Sequence, residues 1–236
     1  GWLDEHAYGG LSLMATVLGA VLLYYELGAA ATAIGWMVLC LTLLAAGLRW
    51  DLVDFRVQAY ALAGVVFARA WAINFYLDTT LLGVPTRLFT GIAVTAGLFA
   101  AHFMMRRRRA LEDGSREDRF GALVAWADEH AASALSLLAT VLLAAFLFYE
   151  VSGSLLTVAW SLQGTALLFA GFGLRDRQLR LSGLVLLGAC ILKAFFHDFR
   201  ELDALFRIFS FMVLGILSLA VSFVYSRYRE KLQRLL

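Results

Sequence analysis

One proline, Pro85, and two cysteines occur in 236 residues, and only 16% of the chain is charged. With so little proline, helices can run unbroken, because proline removes a backbone donor and clashes with the preceding turn. Cys40 and Cys190 lie singly inside apolar runs, without Cys-x-x-Cys or Cys/His spacing. They read as small buried hydrophobes, so neither a disulfide framework nor a metal site is expected. The Walker A, Gly-x-Ser-x-Gly, His-Glu-x-x-His, Gly-x-Gly-x-x-Gly and Cys-x-x-Cys-His patterns are also missing. Their absence disfavours the common nucleotide, hydrolase, zincin and c-haem chemistries and leaves enzymes built on other sites open. No cofactor and no nucleic-acid partner is expected, and the net charge of +2 carries little information beside the placement of the charges.

What the chain has is apolar residue, 61% of it, against roughly 45–50% in soluble domains. Runs without Asp, Glu, Lys or Arg cover residues 7–25, 27–48, 88–105, 131–149, 151–174 and 208–226. As a helix, each spans about 30 Å of hydrocarbon, which takes roughly 20 residues. Residues 57–77 and 181–199 are equally long but are interrupted by Arg69 and by Lys193. The expected fold is an all-α, polytopic transmembrane helical bundle of eight spans.

Those spans read as two parallel tandem four-helix repeats. Residue n matches residue n plus 124 over most of the unit: Trp2, Asp4, Glu5 and His6 answer Trp126, Asp128, Glu129 and His130. Tyr25 and Glu26 answer Tyr149 and Glu150; Trp36 answers Trp160, Gly47 Gly171, Arg56 Arg180 and Arg69 Lys193. After a four-residue excess in the first copy the register becomes 120, with Arg87 and Phe89 matching Arg207 and Phe209. The expected division is a first repeat at 1–109, a cytoplasmic linker at 110–125 and a second repeat at 126–236. An even number of spans returns the chain to its starting side, so the copies share orientation and a pseudo-two-fold axis along the membrane normal is expected.

Arginine and lysine cluster after every second span: Arg49 and Arg56, the run 106–109, Arg175 to Arg180, and Arg227 to Arg234. By the positive-inside rule these connections, and both ends of the chain, are cytoplasmic. Anionic lipid headgroups are expected at these clusters. The chain opens on Gly1 at the head of its repeat, which suggests a piece of a longer protein.

A layer toward the outer face collects the remaining polar positions: Glu26, Arg69, Asn74, Arg87, Glu150, Lys193, His197, Asp198 and Arg207. A central Arg or Lys costs about 2.5–3.5 kcal/mol on insertion scales, so these cations need partners or water. Three readings compete for the layer: structural ion pairs, a cavity for a charged solute or lipid headgroup, and an acid/base site on Lys193, His197 and Asp198. The last is weakened because Ile73 and Asn74 stand where the second copy has His197 and Asp198. The acidic Asp4 and Asp128 triplets read as favourable charges opening helices, with Trp2 and Trp126 as interfacial anchors. Their consecutive residues point to different sides of a helix, which disfavours metal binding. His102 is expected to bond a neighbouring helix.

The segment 181–229 resembles the C-terminal part of the bacterial membrane proteins grouped as domain of unknown function 2339. Lys193, Asp198, the Arg207-Ile208 opening of the last span, Ser210, Phe211 and Gly215 carry the resemblance; before residue 181 it is generic. The first repeat departs from it, with Arg69 and Asn74 for Lys and Asp. The resemblance implies a bacterial inner membrane and a longer parent chain, but no activity. The favoured role is non-enzymatic: a structural or assembly subunit of a membrane complex, with a protein partner or oligomer. A transporter-like or lipid/glycan-headgroup binder is the alternative, and an envelope lipid- or glycan-modifying enzyme ranks behind both.

Overall fold

The computed structural model describes residues 2–76, 80–81, 84–109, 119–151, 154–193, 212, 215–220 and 222–223. Among the described residues the fold is all-α apart from one tiny ribbon. In order come α1 (Trp2–Glu26), α2 (Ala29–Arg49), α3 (Val53–Ala72), a 3-10 turn (Asn74–Tyr76), β1 (Thr80–Leu81), β2 (Val84–Pro85), α4 (Thr86–Arg109), α5 (Arg119–Glu150), α6 (Ser154–Gly173) and α7 (Arg177–Lys193). The strands pair antiparallel, Thr80 opposite Pro85 and Leu81 opposite Val84. Pro85, having no N–H to give, sits at the end of this ribbon immediately before α4.

Among the described residues, five helices are long and apolar enough to cross a membrane: Tyr8–Glu26, Ala29–Arg49, Thr86–Arg107, His130–Glu150 and Leu155–Gly173. Of the other three expected spans, α3 carries Asp54, Arg56 and Arg69, and it stops at Ala72 instead of running to 77. α7 is described for 17 residues only, with Arg177 and Arg180 in its opening turns. The eighth, 208–226, is described as helical only at residues 212, 215–220 and 222–223.

Two compact units divide the chain, Gly1–Leu187 and Gly188–Leu236. In the first, α2 packs on α3 and α4, and α4 on α5. Their buried side chains form one core, from Met37 and Leu44 on α2 through Val66 on α3 and Leu98 on α4 to Leu142 on α5. In the second unit the described residues after Lys193 are helical and exposed.

The two turns that join helices on the arginine-rich side are built alike. α2 ends with Asp51 in the left-handed region, φ 55°, and the Leu52 N–H donates back to the Gly47 carbonyl at 3.0 Å. α6 ends with Arg175 at φ 54°, and the Asp176 N–H donates to the Gly171 carbonyl at 2.7 Å. This is the six-to-one bond of a Schellman cap, made without the usual glycine at the left-handed position. The glycines stand elsewhere, where the next helix crosses. A Cβ on Gly47 would lie 2.8 Å from Arg56 Cγ and 3.0 Å from its backbone nitrogen, and on Gly171 2.6 and 2.7 Å from the same atoms of Arg180.

Indoles tie the neighbouring pairs of helices in the same way. Trp36 Nε1–H on α2 donates to the Ala20 carbonyl of α1 at 2.8 Å, and Trp160 Nε1–H on α6 to the Ala144 carbonyl of α5 at 2.8 Å. Tyr24 stacks on the first indole and Phe148 on the second, each with ring centroids 6.4 Å apart.

Two expectations change. α5 begins at Arg119, so residues 119–125 are helical where a linker was expected. Asp128 therefore lies roughly two and a half turns inside α5, and its charge does not open the helix.

Candidate functional site: paired charges at both ends of the bundle

At the end where α1 finishes and α2 starts, Arg69 is 9% exposed in the last turn of α3. Its Nη2 donates to the Ala29 carbonyl at 3.0 Å. The guanidinium also lies over the rings of Tyr24 and Trp36, 5.5 and 5.1 Å from their centroids. Cation–π contact of this kind strengthens when desolvated, to about 2 kcal/mol. Asn74 is buried and reaches the Ala30 carbonyl through Nδ2 at 3.4 Å. Both side chains thus bind the start of α2, where the chain turns.

Arg87, at the head of α4, meets Glu150, at the end of α5, with Nε and Oε1 2.5 Å apart. The contact is one of charge and not an aligned hydrogen bond, since neither atom has a hydrogen-bond partner. Tyr149, which precedes Glu150 in the chain, has its hydroxyl 2.8 Å from that of Tyr76 and its ring centroid 5.2 Å from that of Phe75. Of the other expected members, Glu26 is exposed at the end of α1 and Lys193 is half-buried at the end of α7. His197, Asp198 and Arg207 lie outside the described residues.

The opposite end holds two clusters that the sequence pattern did not bring together. Arg56 is 1% exposed; its Nη1 donates to Asp128 Oδ2 at 2.7 Å and its Nη2 lies 3.4 Å from Asp51. The Tyr60 hydroxyl donates to the other Asp128 oxygen at 2.7 Å. Arg56, placed by the sequence in a cytoplasmic basic cluster, is buried and neutralised by the carboxylates of Asp128 and Asp51. Arg56 and Tyr60 are four apart on α3 and share a face, which was the available signal.

The second cluster centres on His102. Its Nδ1 lies 2.8 Å from the Ala132 carbonyl on α5 and its Nε2 2.7 Å from Asp176 Oδ2 in the α6–α7 turn. Both partners are acceptors, one facing each ring nitrogen. Arg106 adds a guanidinium 3.4 Å from Asp176 and a bond to the Leu174 carbonyl. Burial alone pushes the Asp176 carboxyl up, but the His102 bond and charge, the Gln178 N–H at 2.9 Å and the Arg106 charge outweigh it and hold it below its ordinary value. Asp176 is the lone acid in the basic run 175–180, a sequence signal that was available.

Between α1, α2 and α3 runs a groove of about 460 Å³ lined by Thr16, Val17, Tyr24, Trp36, Gln58 and Val65. Its polar end is internally satisfied: Thr16 Oγ1 donates to Gln58 Oε1 at 2.6 Å, and Gln58 Nε2 to Ser12 Oγ at 3.1 Å. Among the described residues no group of three His, Cys, Asp or Glu could hold a metal ion. Charged side chains at both ends are thus spent on joining helices: α4 to α5, α3 to α5, and α4 to the α6–α7 turn.

Residues 125–228 match the family model described as Predicted membrane protein (DUF2339). The match begins well before residue 181, where the resemblance seen in the sequence began. No curated protein and no solved structure matches the chain. The chain is a multi-pass membrane protein.

Proposed function

We propose, taking the membrane-protein family match as the premise, that this chain is a structural subunit embedded in a bacterial inner membrane. In this reading it is built from two parallel four-helix repeats, crosses eight times, and keeps both ends on the arginine-rich cytoplasmic side. The paired turns at Asp51 and Arg175, the glycine crossings at 47 and 171 and the indole bonds of Trp36 and Trp160 support the repeat, because each second position lies 124 residues after the first.

One observation carries the structural role. The charges Arg87–Glu150, Arg56–Asp128 and His102–Asp176 are consumed in contacts between elements. Losing one partner of a fully buried pair such as His102–Asp176 costs about 3–5 kcal/mol, and less for the half-buried Arg87–Glu150, whereas replacing both partners with apolar residues of similar volume is often neutral. The test is R87A, E150A and the joint R87M/E150L variant of the full chain in mild detergent. The single variants lose thermal stability and the joint one recovers most of it. Single variants within about 0.5 kcal/mol of the parent protein would refute the locking role. Cysteine labelling from each side of sealed vesicles tests the eight crossings, with positions 26 and 150 facing opposite to 49 and 175.

A lipid-binding reading rests on the groove beside α1. Its apolar walls suit an acyl chain, and Arg69 stands behind Tyr24 and Trp36 at one end. Native mass spectrometry of the full chain tests it: a retained phospholipid that V17W/V65W expels supports this reading, and equal retention by both proteins refutes it.

A further inference from the structure

Arg56, Arg87 and His102 each face a carboxylate. Arg69, 9% exposed, does not. Among the described residues no acid comes within ion-pair distance of its guanidinium, whose one hydrogen bond runs from Nη2 to the Ala29 carbonyl. Its Nε is buried and bonds nothing. The rings of Tyr24 and Trp36 lie 5.5 and 5.1 Å away. They attract a cation through their faces, but they neither cancel its charge nor accept its N–H groups strongly. A guanidinium held in this way within a membrane protein lacks an anion.

The groove between α1, α2 and α3 leads to it. On α3 the positions Gln58, Leu62 and Val65 line the groove, and Arg69 lies four residues beyond Val65, on the same face of the helix. Tyr24 and Trp36, over which the guanidinium lies, line the groove as well. On α1 the lining runs from Leu13 to Tyr25, about 18 Å at roughly 1.5 Å per residue. One leaflet's share of the hydrocarbon core is about 15 Å, so the groove has the depth of a single acyl layer. Leu13, Val17, Val21 and Val65 are exposed, which leaves it open along its length. Thr16 and Gln58 bond each other, and Gln58 bonds Ser12. The unmet polar demand is thus at the other end, on Arg69.

We propose that the groove takes an acyl chain of a phospholipid whose phosphodiester is bound by Arg69, so that the headgroup and not the chain alone selects the occupant. This rests on the lipid-binding reading above. Phosphate oxygens supply both the charge that the guanidinium lacks and acceptors for its spare donors, a pairing to which arginine's planar fork is suited. Burial of the chain against apolar walls is non-directional and does not discriminate among lipids with the same chains. The headgroup sits at the turn between α1 and α2, reaching Arg69 past Tyr24, which is 51% exposed.

The experiment uses the full chain in mild detergent and native mass spectrometry, with two probes of identical acyl chains, phosphatidylglycerol and diacylglycerol. The parent protein retains phosphatidylglycerol about ten-fold or more tightly than diacylglycerol, as expected for a hydrogen-bonded charge pair. R69Q brings the two close together, and V17W/V65W loses both. The comparison on the parent protein needs no variant, so it decides even where R69Q fails to fold. Equal retention of the two probes, with both expelled by V17W/V65W, overturns the headgroup claim and leaves the groove reading standing. A preference that R69Q preserves puts the phosphate elsewhere and also overturns the proposal. Retention of neither probe, or retention that V17W/V65W leaves unchanged, overturns both.

Discussion

Replacing Asp128 by alanine tests most directly whether the arginine-rich end is an internal lock. The change removes the acceptor of a 2.7 Å bond from Arg56 and of a 2.7 Å bond from the Tyr60 hydroxyl. Arg56 is 1% exposed, and Asp51, 3.4 Å away and itself half-exposed, compensates only in part. Stranding a buried charge costs about 3–5 kcal/mol. At roughly 2–4 °C per kcal/mol for a chain of this size, the midpoint of thermal unfolding falls by about 6–20 °C. Unfolding followed by circular dichroism in mild detergent measures it. The joint variant R56M/D128L removes the charge together with its partner and returns most of the loss. A D128A protein within about 1 kcal/mol of the parent, or a joint variant no better than the single one, refutes the argument.

Three further outcomes follow from the same geometry. G47A and G171A each push a methyl group into the backbone of the crossing helix and each cost about 1–3 kcal/mol; an effect at only one position would count against a shared turn design. R175G relieves a left-handed residue at φ 54° and raises stability by up to about 1 kcal/mol in chemical unfolding. Asp176 is held below the usual carboxylate range. Its contribution is therefore complete above the unfolded value of about 3.9 and is lost as pH falls through the lower folded one. D176N flattens that acid limb, and an unchanged limb would show that other groups set it.

Long apolar runs disclosed the membrane medium, because hydrocarbon leaves a helix no choice but to satisfy its backbone internally. Trp36 and Trp160, like Gly47 and Gly171, recur at a fixed offset, and the structure has an indole bond at both tryptophans and a close helix crossing at both glycines, contacts that the sequence alone did not specify. Arg87 and Glu150 were assigned to one layer, and they meet. What the sequence did not disclose was which charges would meet across helices at the other end. Asp128 and Arg56 are 72 residues apart, and His102 and Asp176 are 74 apart. Neither separation equals the repeat offset, so no self-comparison exposes them. Such contacts depend on the angle and depth at which α3, α4 and α5 cross, which periodicity does not encode. Asp128 was misplaced for a simpler reason: α5 starts seven residues before Trp126, so a residue read as opening the helix lies well inside it.

The indole bonds of Trp36 and Trp160 bear on how the chain enters the bilayer. An indole N–H surrounded by lipid tails has nothing to bond, and the acceptor each one uses belongs to the helix synthesised just before. α2 is therefore better accommodated beside α1 than alone, and α6 beside α5. Insertion as hairpins follows, with each tryptophan acting as the latch that commits a newly made helix to its predecessor before the rest of the protein exists.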